Sequence, residues 1–353
     1  DFFTTQSTPG IVFGVFFMGG WLMLVYLLLY AGIHLLAEYK EHKLTHHWEW
    51  VVLAIDVPLL NVQTPKAVEQ MFAHLAGSFG HINITKKYRH GFKQPWFSFE
   101  IISLGGYIQF LIRTEVTYRD LVEAAFYAQY PDATMTEVED YVNDVPHHFP
   151  NQTHDMWAAD FTLTSNYAYP IRTYREFEHN ISKDTVLKDP MGAFLESFTH
   201  IGPGEQLWFQ IIVEPYGNHW KEHAMEEIKK IIGDESGHGH GGSPILDAVA
   251  NAPMKILEGI GDQVFAREAS HDSGGHEEHA GPPNQIQYLT PGQKTLVEAM
   301  ELKIAKIGFK TKLRAVYIAK KEVFKPGRVV TGIIGAINQY SIPTANSFAP
   351  TFD

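Results

Sequence analysis

One nearly unbroken apolar stretch near the start of the chain, residues 11–36, limits what this protein can fold into more than any other feature. Glycines and His34 are its only interruptions. At about 1.5 Å of rise per residue, a helix of this length spans the roughly 30 Å hydrocarbon core of a bilayer with some tilt. We therefore predict a transmembrane anchor within residues 1–40, with the lipid bilayer as its partner.

A cleaved signal peptide and a buried core helix are the alternatives to an anchor. A signal peptide has a basic start and a short apolar core, whereas the leader DFFTTQSTPG holds one acid and no base. Lys40 and Lys43 follow the stretch, and no Lys or Arg precedes it. The positive-inside rule then places the N-terminus outside and everything after residue 40 in the cytoplasm. Because the chain begins with Asp1, we expect either a processed N-terminus or an incomplete sequence.

The composition beyond the anchor is that of folded domains. Roughly 310 residues remain, enough for two domains of ordinary size. The apolar content of 45% and the aromatic content of 13%, both of the whole chain, support packed cores. The chain has no cysteine, which removes disulfides and thiolate metal sites and fits a reducing compartment. The net charge of −12 argues against a surface that coats DNA generally.

A first α/β unit is predicted at residues 41–146. Apolar residues on both faces of 48–56 are typical of an interior strand, and Thr64 followed by Pro65 begins a helix. Gly105 and Gly106 join two strands, 96–102 and 107–113, as a hairpin. A helix capped by Thr117 and a last strand at 134–138 complete the order βαββαβ. This order is that of a ferredoxin-like sandwich.

A second α/β unit related to the first is predicted at residues 147–345, followed by a tail at 346–353. Its predicted strands are 157–164, 171–177, 206–214 and 312–319, and its predicted helices are 190–200, 219–232, 291–307 and 328–340. An insertion at 233–289 has ends rich in Gly, His and acids, which cannot build a core. Its amphipathic middle needs a partner, which is the parent domain, a neighbouring subunit or the membrane surface. The predicted fold class is α+β, with one transmembrane helix and two ferredoxin-like units.

The sharpest catalytic pattern is HWKEH at residues 219–223. On a helix, His219 and His223 share a face and can bind Zn²⁺, with Glu222 as the general base. A third ligand would come from downstream, from Glu298 or Glu301. The alternative is two exposed histidines at the start of a helix, which we prefer in a chain with 19 histidines. We therefore expect no cofactor, and zinc only if the protein is a peptidase.

Two further patterns are weaker indications of a binding site. The histidines of the insertion have flexible, Gly-rich spacing that preorganises no metal site; they are His238, His240, His271, His276 and His279. A basic cluster at residues 86–93, with Tyr88 and Phe92 interleaved, suits phosphates or anionic lipid; its bases are Lys86, Lys87, Arg89, His90 and Lys93. We expect a solvated loop there and keep contact with nucleic acid as an alternative. PGQKT at 291–295 lacks the rest of a phosphate loop, which excludes a nucleotide-driven motor of that type.

The stretch PWFSFEIISLGGYIQFLIRTEVTYRDLVEAAFYAQYPDATMTEVEDY, residues 95–141, resembles a membrane-anchored module of candidate phyla radiation bacteria. This module is similar to the region that precedes the motor domain in VirB4-like conjugation or type IV secretion ATPases. Residues 202–215 and 289–324 match the same pattern, so the resemblance covers most of 48–345 without the insertion. These positions form the fold rather than an active site. The resemblance therefore implies a fold and a cellular setting, and a motor would have to be a separate partner.

Together these features favour a non-enzymatic scaffold or docking component of a type IV secretion or DNA-transfer assembly. It would sit in a bacterial inner membrane and form a homo-oligomer, because it has one anchor, open sheet edges and an insertion whose apolar stripe needs a partner. A flotillin-like membrane-organising ring or cage is one alternative. A membrane-tethered zinc peptidase that uses HWKEH is the alternative from another class.

Overall fold

The computed structural model describes residues 20–58, 63–179, 186–187, 191–233 and 289–351. Within these ranges the chain is a mixed helix and sheet protein, which confirms the α+β class. Helices are numbered α1 to α7 and strands β1 to β10. The helices are α1 Trp21–Thr45, α2 Pro65–Leu75, α3 Arg119–Tyr127, α4 Met191–Thr199, α5 His219–Ile232, α6 Pro291–Ile304 and α7 Pro326–Asn338. The strands are β1 Trp50–Asp56, β2 Phe97–Leu104, β3 Tyr107–Glu115, β4 Thr134–Val138, β5 His154–Leu163, β6 Glu178–His179, β7 Val186–Leu187, β8 Glu205–Pro215, β9 Phe309–Lys320 and β10 Phe348–Thr351.

Helix α1 is long and apolar enough to cross a membrane. Only 6% of its most apolar segment is buried against the rest of the described chain, so it is not a core helix. Residues 1–19, which include the first nine residues of the predicted span, lie outside the described residues. The helix runs on to Thr45, beyond the predicted end of the anchor at residue 40, because residues 37–45 contain mostly good helix formers.

Eight strands form one antiparallel sheet in the order β10-β5-β9-β8-β2-β3-β1-β4. In the first half the order is β4-β1-β3-β2, and in the second half it is β10-β5-β9-β8. The halves meet where β2 pairs antiparallel with β8 and Glu100 lies opposite Gln210. The predicted boundary at residue 146 falls between β4 and β5, so one sheet continues across it. Residues 346–353, predicted as a tail, supply β10.

Both halves place their helices on one face of the sheet. Helices α2 and α3 cover the first half through Met71, Leu75 and Phe126. Helices α4 and α7 cover the second half through Phe198 and Ile333. This packing explains the alternation in β8, whose inward residues were predicted correctly; they are Leu207, Phe209, Ile211 and Val213.

The opposite face of the sheet is covered by the connection between β4 and β5. Tyr141, Val145 and Phe149 of this connection pack over apolar residues of both halves, including Ile102 and Trp208. The same segment was predicted only as a boundary. Its aromatic residues are therefore a third layer that joins the two halves.

Helices α5 and α6 pack against each other as a pair. Their interface contains Trp220, Ala224, Val297 and Met300. Thr290 begins α6 with a capping box, in which its hydroxyl accepts from the Gln293 N–H at 3.3 Å. The long insertion predicted at 233–289 connects these two helices, and its residues 234–288 lie outside the described residues.

The strand predicted at 171–177 is wrong. Residues 171–173 are irregular, and Tyr174–Phe177 form a 3₁₀ turn. The backbone N–H of Arg172 donates to the Tyr340 carbonyl at 2.9 Å, and its guanidinium donates to the Gln339 carbonyl at 3.2 Å. These bonds tie the segment to the end of α7 instead of to a strand. The predicted cap by Thr117 is also wrong, because its hydroxyl donates to the Glu115 carboxylate and Tyr118 holds the cap position.

A buried carboxylate joins β8, β9 and the start of α7. The Glu205 carboxylate accepts from the Tyr317 hydroxyl at 2.6 Å, from the Gly202 N–H at 2.7 Å and from the Arg328 guanidinium at 2.8 Å. Burial alone would raise the pKa of Glu205, but these three donors outweigh it and hold the pKa below its ordinary value. Glu205 is therefore ionised in the folded chain.

We expect Glu205→Gln to cost about 2 kcal/mol at neutral pH, because three donors lose a charged acceptor. A lowered folded pKa contributes stability that is present above the unfolded pKa and is lost as the pH falls through the folded pKa. Unfolding of the detergent-solubilised chain at a series of acidic pH values measures this. The stability of the variant should fall less steeply with decreasing pH than that of the wild type. The exposed carboxylate variant Glu322→Gln is the control and should follow the wild type; a Glu205→Gln profile parallel to the wild type would contradict the assignment.

Candidate binding surfaces

The HWKEH pattern lies at the start of α5, as the sequence predicts. Both histidine side chains are exposed, His219 by 85% and His223 by 69%. Each faces a glutamate of the next turn: His219 Nδ1 is 3.9 Å from Glu222, and His223 Nδ1 is 3.4 Å from Glu226. These contacts are those of a solvated helix face, where side chains three apart are neighbours.

The predicted third zinc ligands, Glu298 and Glu301, are exposed on α6. The buried interface between α5 and α6 consists of apolar residues and Trp220, not of these acids. In the part of the chain that the structure describes, no group of three or more His, Asp or Glu side chains is placed to hold a metal ion. The five histidines of the insertion lie outside the described residues.

The predicted basic cluster lies on the loop between α2 and β2, residues 79–95, which we call the juxtamembrane loop. Its residues Lys86–His90 form a π-helical turn that packs against the C-terminal end of α1. Lys86, Lys87 and Arg89 are exposed, whereas Lys93 forms an ion pair of 3.0 Å with Glu41 of α1. The structure thus places this cluster beside the end of the membrane-spanning candidate.

A groove with a cavity volume of about 1230 Å³ opens on the helix-covered face of the sheet. Its floor is apolar and comes from three strands, with Ile101 of β2, Phe209 of β8 and Leu313 of β9. Helix α4 supplies Phe194 to one wall. A groove of this size suits a peptide segment or a ligand with a long apolar part.

Four lysines line the groove, and three of them have carboxylate partners. Lys306 pairs with Glu69, Lys312 is 2.6 Å from Asp160, and Lys310 is 3.6 Å from Glu214. These pairs leave the groove polar at its rim and apolar at its floor.

Lys303 is bonded differently. Its ammonium donates to the carbonyls of Tyr167 at 2.6 Å and Tyr169 at 3.2 Å, and the described residues give it no carboxylate. Burial lowers the pKa of Lys303, because the charged form is poorly solvated there. An anionic group in the groove would stabilise this cation.

A charged network lies within the opposite face of the sheet, under the β4–β5 connection. Glu100 is 2% exposed and accepts from the Tyr141 hydroxyl at 2.7 Å. Arg113 donates to both Asp140 oxygens, at 2.7 and 2.6 Å, and lies 3.5 Å from Glu100. The Gln210 amide donates to the Tyr141 hydroxyl at 3.0 Å and so connects the network to the second half.

The network shifts the pKa values of three of its members, Asp140, Arg113 and Tyr141. The hydrogen bond from Arg113 lowers the pKa of Asp140, and the neighbouring carboxylates raise the pKa of Arg113 against the effect of burial. Burial and the nearby Glu100 raise the pKa of Tyr141. Because every charged member has a partner, the network stabilises the junction of the two halves.

The groove and the network were not predicted. Their residues come from strands and helices far apart in sequence, and each residue alone is an ordinary strand or helix position. The alternation in β3, where Arg113 faces the side opposite Ile112, was the only local signal of a polar layer. The juxtamembrane loop was recognised by its bases but not by its contact with α1.

The fold and these surfaces define a mixed helix and sheet protein with one apolar N-terminal helix and no assembled metal site in its described part. The sequence profile of DUF8128, described as a domain of unknown function, matches residues 37–348. The chain belongs to this family. The match begins in the last part of α1 and ends at the first residue of β10, so it contains the whole sheet up to that point. Neither the curated proteins nor the solved structures contain a match to the chain.

Proposed function

We propose that this protein is a non-enzymatic, membrane-anchored scaffold that self-associates and docks components of a type IV secretion or DNA-transfer assembly. The observation that carries the proposal is the direct connection of the exposed apolar helix α1 to the eight-stranded sheet, with only four residues between α1 and β1. A helix with so little cover from its own chain needs a lipid or protein environment. The anchor then holds a wide sheet close to the membrane.

The orientation of the scaffold follows from the charges beside the span. Lys40 and Lys43 follow the apolar part of α1, and the juxtamembrane loop adds more bases on the same side. Under the positive-inside rule this side is cytoplasmic, which supports a place in a bacterial inner membrane with the N-terminus outside.

We infer that each half of the sheet is a ferredoxin-like unit. Two strand orders support this inference, β4-β1-β3-β2 and β10-β5-β9-β8, because both read 4-1-3-2 when the strands of each half are numbered along the chain. Each half also carries its two helices on the same face of the sheet. The second half has α5, α6 and the insertion between its second and third strands.

Self-association is supported by the two edges of the sheet. Within the described residues, no strand pairs with the outer side of β4 or of β10. The β4 residues Thr134, Thr136 and Val138 are exposed. An open edge of this kind adds a strand from another chain through backbone hydrogen bonds. Pairing of β4 with β10 of the next copy would build a ring or a filament.

Docking of a partner is supported by the groove. Its apolar floor and its Lys303 ammonium fit an acidic, apolar segment of another protein. A motor would be such a partner, since the sequence contains no complete phosphate loop.

We predict that Thr136→Lys lowers the mass of the detergent-solubilised full chain from a multiple to that of one chain, or to a smaller multiple. A lysine on the open edge keeps the pairing with β1 but places a charge where a second chain would pair. Light scattering of the purified protein measures the mass. Thr162→Lys, an exposed threonine of the interior strand β5, is the matched control and should keep the wild-type mass.

Two results would contradict the proposal. A wild-type chain that is monomeric in several mild detergents would exclude self-association. A small species that contains one zinc per chain, and that loses it on His219→Ala, would instead support the membrane-tethered peptidase.

A further inference from the structure

The juxtamembrane loop is fixed against α1 and is not a free excursion. Gln94 is 7% exposed and closes the loop, since its amide accepts from the Gly80 N–H at 3.0 Å and donates to the Gly80 carbonyl. Gly91 touches α1 so closely that an added Cβ would lie 2.4 Å from the Lys40 carbonyl oxygen. The ion pair between Lys93 and Glu41 adds a second contact. The loop therefore lies at the level of α1 where apolar residues give way to charged ones.

The loop carries bases without acids. Residues 79–95 contain four Lys and Arg residues and no Asp or Glu, in a chain whose net charge is −12. Lys86, Lys87 and Arg89 are exposed, and the described residues contain no carboxylate within ion-pair distance of them. On α1 itself, Lys40 and Lys43 add positive charge, Glu41 is already paired with Lys93, and Glu38 is the one other acid of the helix. The local surface is thus positive on an otherwise acidic protein.

The same loop exposes apolar side chains. Ile82 is 56% exposed and Ile84 is 52% exposed, both within four residues of Lys86. Where the loop ends, Trp96 packs on Trp50 with a ring distance of 4.1 Å, and Trp50 packs on Trp48 at 5.7 Å. Bases beside exposed aliphatic residues, together with tryptophans at the end of a span, are typical of the membrane interface.

We propose that the juxtamembrane loop is a binding site for anionic phospholipid headgroups, with Lys86, Lys87 and Arg89 on the phosphates and Ile82 and Ile84 in the interface. The inference rests on the proposed membrane anchor, because α1 brings the loop to the bilayer. The positive surface continues directly from the span, and this continuity favours a lipid surface over nucleic acid as the partner. The site fixes the angle at which the sheet leaves the membrane.

The lipid site can be tested on the full chain. Because the sequence contains no cysteine, a single introduced cysteine is the only thiol that a fluorophore can label. The reporter is Ile84→Cys carrying a polarity-sensitive fluorophore, in nanodiscs of phosphatidylcholine alone or mixed with phosphatidylglycerol. We expect the emission to shift to shorter wavelength in the anionic discs, and the shift to shrink at high salt, where the charges are screened. The control reporter Tyr107→Cys, 67% exposed at the hairpin end of β2 and β3 away from Trp96, should not respond to the lipid.

Charge variants separate the site from general attraction. Lys86→Gln, Lys87→Gln and Arg89→Gln together should abolish the lipid-dependent shift. Changing Lys229, Lys294 and Lys325 to Gln removes the same charge from exposed positions elsewhere and should leave the shift intact.

An unchanged shift in the loop variant, or an equal response to phosphatidylcholine alone, would overturn the lipid site. Failure of the protein to enter nanodiscs at all would instead overturn the proposed anchor, so the two failures are distinguishable. A shift produced by single-stranded DNA oligonucleotides in neutral discs, and not by phosphatidylglycerol, would assign the cluster to nucleic acid and overturn the proposal.

Discussion

Arg113→Met is expected to destabilise the folded chain by about 4 kcal/mol, because it leaves a buried carboxylate without its cation. Glu100 is 2% exposed and lies 3.5 Å from the Arg113 guanidinium. Asp140 loses both of its hydrogen bonds to the same group. Chemical unfolding of the detergent-solubilised protein, followed by tryptophan fluorescence, measures the effect. The loss should also weaken the junction of the two halves, since Tyr141 links Glu100 of the network to Gln210.

Arg119→Met is the matched control for this prediction. Arg119 pairs with Glu123 at 2.8 Å and Glu137 at 2.6 Å, but its side chain is 37% exposed. Exposed pairs of this kind contribute about 0–1 kcal/mol. In the double variant Arg113→Met with Glu100→Gln, part of the stability should return, because the unpaired charge is removed. Equal losses for Arg113→Met and Arg119→Met would show that the network does not hold the sheet together.

Gly91→Ala is expected to cost about 3 kcal/mol and to detach the juxtamembrane loop from α1. Gly91 has φ +78° and ψ +143°, a conformation that is nearly restricted to glycine. The added Cβ would also lie 2.4 Å from the Lys40 carbonyl oxygen, and this neighbour is backbone that cannot rotate away. Hydrogen exchange of residues 80–94 in nanodiscs should therefore rise severalfold, and the lipid response of the loop should fall with it.

Gly77→Ala serves as the control for Gly91→Ala. An added Cβ at Gly77 meets nothing within 4 Å, and no positive φ is required there. This variant should keep wild-type exchange and stability. Wild-type exchange in Gly91→Ala would mean that the loop does not depend on this contact, and the membrane-proximal site would lose its structural basis.

The elements predicted most accurately from the sequence are those set by local patterns. Helix α5 has the predicted bounds, His219–Ile232, because one face carries Ala224 and Ile228 at helical spacing. Strand β4 was also predicted with its observed bounds. The hairpin at Gly105 and Gly106 was predicted correctly, since both residues have positive φ and Gly106 lies close to the Ile201 carbonyl.

Features that depend on pairing between distant strands were not predicted. The junction of β2 and β8 joins residues more than 100 positions apart, and both strands are buried or half-buried on both faces. Such strands fit the interior of a sheet, but their composition does not select a neighbour. The segment at 171–177 was predicted wrongly for the opposite reason: its β-branched and aromatic residues suit a strand, but Arg172 bonds to the end of α7.

For the candidate sites, too, local patterns were predicted and contacts between distant residues were not. The exposure of His219 and His223 follows from their position on the outer face of α5, and that alternative was weighed from the sequence. The groove was not predictable, because its lysines lie on α6, on β9 and between them, and their bonding partners lie on other elements. The basic cluster was recognised, but its place beside Lys40 depends on the backbone contact at Gly91.

The most direct test of the membrane-anchored scaffold is a thiol accessibility measurement on the full chain in intact cells. Single cysteines replace Thr8, before the span, and Thr136, on β4, and a membrane-impermeant maleimide is applied before and after permeabilisation. We predict that Thr8→Cys is labelled in intact cells, that Thr136→Cys is labelled only after permeabilisation, and that both proteins stay in the membrane pellet at alkaline pH. Release of the chain from the pellet, or labelling of both cysteines from the same side, would contradict this prediction.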